Sequence, residues 1–150
     1  MADIIMNPDI LPRDIVELLI EAKKVSVNAY NKYSKFFVGA AVKTTSGKIY
    51  TGTLLENASY GLSICAEAAA IMNANSNGDY NIEIIAIVGG YNEDPEQQPV
   101  TPCGRCRQII YEASQVIGKN IIIYCSNLDL SKVRITSIDD LLPYAFHLNE

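Results

Sequence analysis

Two short runs hold the residue types that do chemistry. One is Ser63-Ile64-Cys65-Ala66-Glu67-Ala68-Ala69, and the other is Thr101-Pro102-Cys103-Gly104-Arg105-Cys106-Arg107-Gln108. Thiolates from Cys65, Cys103 and Cys106 can grip one Zn²⁺ ion, and three protein ligands leave the fourth tetrahedral position open for water. Glu67 stands two residues from one of those sulfurs. A carboxylate there can carry the water's proton without itself binding the metal. Other readings of the same residues stay open. Cys103-Gly104-Arg105-Cys106 alone could be a redox pair, but that leaves Cys65-Ala66-Glu67 without a role. A structural zinc site is closed by four ligands, and the candidates for a fourth are Cys125 and His147. Cys125 sits in an apolar run and reads as a small buried hydrophobe. His147 lies near the C-terminal end and reads as a surface residue.

These side chains need elements to place them. Cys103 and Cys106 are three residues apart, so on a helix they share a face. Pro102 suits the start of such a helix, over about 103–116, with Gly118 ending it. Cys65 opens an Ala-rich helix that runs to about Asn75, with Asn77-Gly78-Asp79 marking its end. The free N–H groups and positive dipole end of a helix N-terminus favour thiolate over thiol. Two such helices, following neighbouring strands, would aim three sulfurs at one point.

Upstream, Ile15, Leu18, Leu19, Ala22, Val25 and Ala29 recur at helical steps and predict a helix over about 12–30. Residues 36–43 and 48–54 are apolar, β-branched and aromatic, with Thr44-Thr45-Ser46-Gly47 as a hairpin turn between them. Residues 82–88 and 121–125 read as buried strands, and the segment between Gly89 and Thr101 as a loop. Ser137 caps a short helix through Leu142. The expected order is α-β-β-α-β-α-β-(β)-α, the bracketed strand falling before the last helix. A hairpin followed by alternating strands and helices predicts an α/β fold, a three-layer α/β/α sandwich with a mixed sheet. With no repeat or linker, residues 1–150 are expected to form a single domain.

Bulk properties narrow the partners. The chain has 150 residues, 49% of them hydrophobic, with a net charge of −5 and a pI near 4.9. That balance argues against a nucleic-acid partner, which calls for a basic face. Lys23-Lys24 reads as the solvated side of an amphipathic helix. No apolar run reaches the length of a membrane span. Met1-Ala2-Asp3-Ile4-Ile5-Met6-Asn7-Pro8 lacks the basic start and long apolar region of a signal peptide. A cytoplasmic location is the expectation, and thiols stay reduced there.

Cys-x-Glu followed by Pro-Cys-x-x-Cys is the signature of zinc nucleobase deaminases, here with three thiolates rather than one histidine and two. The chain resembles the cytidine deaminases of the small, homotetrameric, all-cysteine type. The likeness spans nearly the whole length. It includes Tyr33-Ser34-Lys35-Phe36, Val38-Gly39-Ala40-Ala41, Glu56-Asn57-Ala58-Ser59-Tyr60-Gly61, both cysteine runs, and Leu141-Leu142-Pro143 with Phe146 after it. The resemblance implies one Zn²⁺ per subunit and hydrolytic release of ammonia from C4 of cytidine or deoxycytidine, as in pyrimidine salvage. It implies that Glu67 shuttles the protons, that Phe36 stacks on the pyrimidine, and that backbone at Ala66 meets the ring's polar edge. It also implies that Glu56 accepts a bond from the ribose 3′-hydroxyl. Ala58, Tyr60 and Phe146 would complete pockets shared between subunits of a homotetramer.

Two positions depart from the family pattern. Ala68 stands where relatives carry an arginine that offsets the thiolate charge, so helix N-termini, Arg105 or Arg107 must supply the compensation. Leu54 stands where relatives carry an asparagine that binds the sugar, which implies weaker cytidine binding or a substrate with a modified sugar. Blasticidin S deaminases, some of which also lack the arginine, are the alternative within the fold. A polynucleotide-editing deaminase would need a basic, aromatic-lined groove that the composition does not provide.

Overall fold

The computed structural model describes residues 4–148. Met1-Ala2-Asp3, part of the run read for a leader, and Asn149-Glu150 lie outside the described residues. The elements are β1 (Ile4–Met6), α1 (Arg13–Ser26), β2 (Phe37–Thr44), β3 (Ile49–Thr53), α2 (Ala66–Ser76), β4 (Ile82–Gly90), α3 (Gly104–Ile117), β5 (Ile122–Asn127), β6 (Val133–Ser137) and α4 (Ile138–Leu141). The strands form one sheet in the order β1-β6-β5-β4-β2-β3. Among the described strands β4 and β5 alone run parallel, joined through α3, and the other pairs are antiparallel, so the sheet is mixed.

Strand periodicity sorts the core into two halves. Ala41, Ala86 and Val88 face α1, where they meet Ile15, Leu18, Leu19 and Ala22. Ala40, Val42, Ile85, Ile87 and Ile123 face the other way and meet Ala66, Ala70 and Ile71 of α2 and Ile110 and Ala113 of α3. The central strands are buried on both sides, which is why β4 reads as a nearly unbroken apolar run. The result is the expected α/β/α sandwich, with one helix on one face and three on the other.

The structure corrects three details. The first helix stops at Ser26, because Ser26 Oγ turns back to donate to Lys23 O at 2.6 Å and Tyr30 N–H donates to Leu54 O at 2.9 Å. Tertiary pairing overrides helical periodicity there. A short edge strand, β1, precedes the first helix and pairs with β6. The two cysteine-bearing helices do not follow neighbouring strands: β2 lies between β3 and β4. They converge because both lie on the same face of the sheet.

Away from that convergence, the β2–β3 turn is fastened to the end of α2. Asp79 Oδ2 accepts from Thr44 Oγ1 and Ser46 Oγ, each at 2.8 Å, and from Tyr50 OH at 3.1 Å. The Ser46 and Thr44 hydroxyls hold its carboxyl below the usual range. A depressed carboxyl stabilises the fold above its unfolded pKa of about 3.9, and that contribution disappears as pH falls through the folded value. Asp79→Asn therefore flattens the loss of stability on acidification below about pH 4, measured by urea melts. An unchanged acid slope would show that the cluster contributes nothing.

Candidate functional site

Close packing of α2 on the sheet sets the site. A Cβ at Gly52 of β3 would stand 2.2 Å from Ala70 N and 2.7 Å from Ala66 O. Only glycine lets the first turns of α2 lie this close to the strand. Cys65 is the N-cap of α2 and Cys103 the N-cap of α3, and neither side chain bonds to its own helix. Both sulfurs are thus left to point elsewhere, beside helix ends whose first N–H groups have no helical partner. Cys106 lies one turn into α3, fully buried.

The three sulfurs lie within 4.8 Å of one another, and Cys65 Sγ and Cys103 Sγ are 3.7 Å apart. Zn–S bonds of about 2.3 Å give a tetrahedron with S···S edges of about 3.8 Å. The spacing and the all-sulfur donor set fit one zinc ion. Among the described residues, neither Cys125, inside β5, nor His147, tilted against Tyr111 with ring centroids 6.3 Å apart, joins the group. The closed four-ligand alternative therefore loses both of its candidates.

The trio's electrostatics follow from this crowding. Without metal, the Cys106 thiol donates to Cys65, drawing Cys65 down to about 6, with Cys103 and the Arg105 charge assisting. Sharing a proton with Cys65, together with burial, pushes Cys106 up. Glu67 is 5% exposed, and burial lifts its carboxyl to about 7, with the Cys65 charge adding to the rise. Arg105 Nη1 donates to Ser63 O at 3.2 Å, reaching the loop that carries Cys65. Arg107 turns away: its guanidinium donates to Pro102 O at 2.8 Å and Leu141 O at 3.0 Å, fastening α3 to α4.

Two hollows draw their walls from the segments around Cys65. The inner one, about 140 Å³, contains Cys65, Ala66, Glu67 and Cys103 and is walled by Phe36, Val38, Leu54, Ile87, Val100 and Thr101. The outer one, about 300 Å³, is lined by Tyr33, Ser34, Glu56, Asn57, Tyr60 and Ser63. Three segments each serve both hollows with alternate residues: Ser34 and Phe36, Leu54 and Glu56, Ser63 and Cys65. Around Leu55 and Ile64, which pair as a bridge, the extended period of two hands a residue to each; between Ser34 and Phe36 the left-handed turn at Lys35, φ +60°, does so instead. Phe36 is fixed edge-on to Tyr91, centroids 4.8 Å apart. Glu56 Oε2 accepts from the N–H groups of Tyr33 at 2.9 Å and Ser34 at 3.2 Å. Bonding to Ser34 leads the effects that keep this carboxyl below its ordinary value.

Residues 13–124 match the family described as the cytidine and deoxycytidylate deaminase zinc-binding region. The chain belongs to this family. It is 38% identical over 133 residues to a cytidine deaminase of Sporosarcina psychrophila, covering 89% of this chain and 91% of that one. A crystal structure of cytidine deaminase from Burkholderia pseudomallei superposes with a TM-score of 0.77 at 37% identity, covering 91% of this chain and 100% of the other. A blasticidin-S deaminase of Bacillus cereus is more distant, 30% identical over 134 residues, or 87% of this chain and 91% of that protein. As a member of the deaminase family, the chain is a zinc-dependent hydrolytic enzyme.

The remaining deaminase positions lie apart from the inner hollow. Ala58 and Tyr60 are exposed on the loop before α2, Tyr60 being 78% exposed with its ring edge-on to Tyr33. Phe146 is 70% exposed, and its carbonyl accepts from Gln108 Nε2 of α3 at 2.9 Å. Within one chain these three are not brought to the metal group. The inner wall also contains Ile87, Val100 and Thr101, which sequence reading left out. Thr101 adjoins Pro102 and was the one with a visible signal. Ile87 reads only as a buried strand residue and Val100 only as part of the loop. No helix among the described residues is long and apolar enough to cross a membrane.

Proposed function

We propose that this deaminase acts on cytidine and deoxycytidine, with Cys65, Cys103 and Cys106 holding the zinc and Glu67 carrying the protons. The observation behind this is a buried carboxyl that shares one small hollow with Cys65 and Cys103, two of three converging sulfurs. Bound zinc makes a water acidic enough to act as nucleophile near neutral pH. Glu67 would take one proton from the attacking water and deliver it to ring N3, then take the proton of the hydroxyl added at C4 and hand it to the amino group, so that the C4–N bond breaks, ammonia leaves and C4=O forms. Its burial keeps bulk water away from the transfer. Phe36, held by Tyr91, presents an aromatic wall to the pyrimidine. The first turn of α2 at Ala66 offers free N–H groups to the polar edge of the ring.

Glu56 then meets the sugar in the outer hollow. Two backbone N–H groups already hold one of its oxygens, so the carboxylate is ionised and fixed in orientation. Leu54, two residues before Glu56, lines the inner hollow with Cys65, Glu67 and Cys103 and presents an apolar side chain there. One sugar bond is worth about 0.5–1.5 kcal/mol, so Leu54→Asn raises kcat/KM for cytidine about 2- to 10-fold. Assaying cytidine, deoxycytidine, 5-methylcytidine, N4-acylcytidine and blasticidin S side by side tests the substrate assignment. Turnover of blasticidin S above both nucleosides would replace the reading with the alternative that the Bacillus cereus relative represents.

We also propose a cytoplasmic homotetramer with shared sites. Tyr60 and Phe146 lie exposed and away from their own inner hollow, as residues that serve a neighbour would. Light scattering gives four chains on this reading, and a monomer with full activity would exclude it.

A further inference from the structure

We propose that Arg105 is the positioning and charge-compensating residue of the sulfur trio, tethering the Cys65 loop to α3 and offsetting the excess negative charge of three thiolates. This rests on the reading of Cys65, Cys103 and Cys106 as zinc ligands. Three thiolates and Zn²⁺ sum to a net charge of −1. An uncompensated anion weakens the metal's hold on further electron density and favours reprotonation of a sulfur. The position after Glu67 cannot help, because Ala68 carries no charge and is 4% exposed. Arg107 is held by Pro102 O and Leu141 O. Arg105 sits between Cys103 and Cys106 on the first turn of α3. Its guanidinium reaches across to Ser63 O at 3.2 Å, two residues before Cys65. One side chain thereby links the two segments that carry the ligands and leaves a delocalised cation beside them. Arginine suits both tasks, having several donors in a planar fork and a charge that never titrates.

The test is zinc affinity, read by chelator competition on metal-free protein titrated with zinc alone. Arg105→Gln removes the charge and keeps an amide donor, and the affinity falls about tenfold, the lower end for outer partners of metal ligands. Arg105→Lys keeps the charge and stays within about threefold of the parent. The parent's affinity advantage over the Gln variant shrinks at about 1 M salt, where charges are screened beyond about 3 Å. The urea midpoint of the metal-free Gln variant matches that of the metal-free parent, separating this role from a general packing one. A Gln variant that binds zinc as tightly as the parent overturns the proposal. A parent that binds no zinc overturns the ligand reading beneath it, which is a different failure.

Discussion

Glu67→Gln lowers kcat and kcat/KM for cytidine together by about 10²–10⁴-fold, while zinc content stays at one ion per chain. Glutamine fills the same volume and can still hydrogen-bond, so the pocket's shape survives. It cannot accept a proton from the water, and that transfer is needed only on the way to the transition state. An interaction made only there lowers kcat and leaves substrate binding nearly intact. Stability moves in the opposite direction. A buried carboxyl costs solvation, and burial has already lifted this one to about 7. Its place near the N-terminus of α2 returns only about 0.3–1 kcal/mol through the dipole. The amide variant is therefore as stable as the parent or more so, a case of a strained functional group lowering stability. Steady-state assay, metal analysis and a urea melt on one preparation check all three parts. Turnover within about tenfold of the parent would remove Glu67 from the proton path.

What the sequence disclosed and what it hid follow a physical division. Cys65, Glu67, Cys103 and Cys106 were legible because local rules place them: each cysteine run opens a helix, and a three-residue step shares a face. The apolar runs of β4 and β5 were legible because a strand buried on both sides needs no polar residue. Contacts between distant segments were not legible. The turn that ends α1 depends on Tyr30 pairing with residues near Leu54, and no local pattern records that. Arg105 and Arg107 are equally basic and two residues apart, yet α3 sends one toward Cys65 and the other toward α4. Glu56 was legible as a family residue, but its tether to the Tyr33 and Ser34 amides depends on the loop there, where Lys35 adopts φ +60°. Tyr60 lines only the outer hollow of its own chain and Phe146 lies beside Gln108 of α3, so single-chain geometry brings neither to the sulfur group.

Removing one ligand is expected to cost activity and metal together, and the two α3 cysteines separate metal loss from packing loss. Cys103 is an exposed N-cap with no bond to its own helix, so Cys103→Ala deletes a ligand and little else. Cys106 is fully buried, so Cys106→Ala deletes a ligand and also leaves a small void. Both variants lose zinc after dialysis against a chelator that the parent survives, because two sulfurs cannot close the site. Both lose measurable deamination. In the parent, zinc that binds only the folded chain adds RT ln(1 + [L]/Kd), about 2.7 kcal/mol when free zinc is 100 times Kd. For a chain of this size that raises Tm by about 5–10 °C. Cys103→Ala then melts with the metal-free parent, and Cys106→Ala melts below it. The ordering follows from burial: Cys103 is exposed and its loss leaves little unfilled, whereas Cys106 is fully buried and its loss opens a void beneath the site. If Cys103→Ala retains one zinc per chain and its activity, the three-sulfur site is wrong, and the open coordination position that the chemistry needs goes with it.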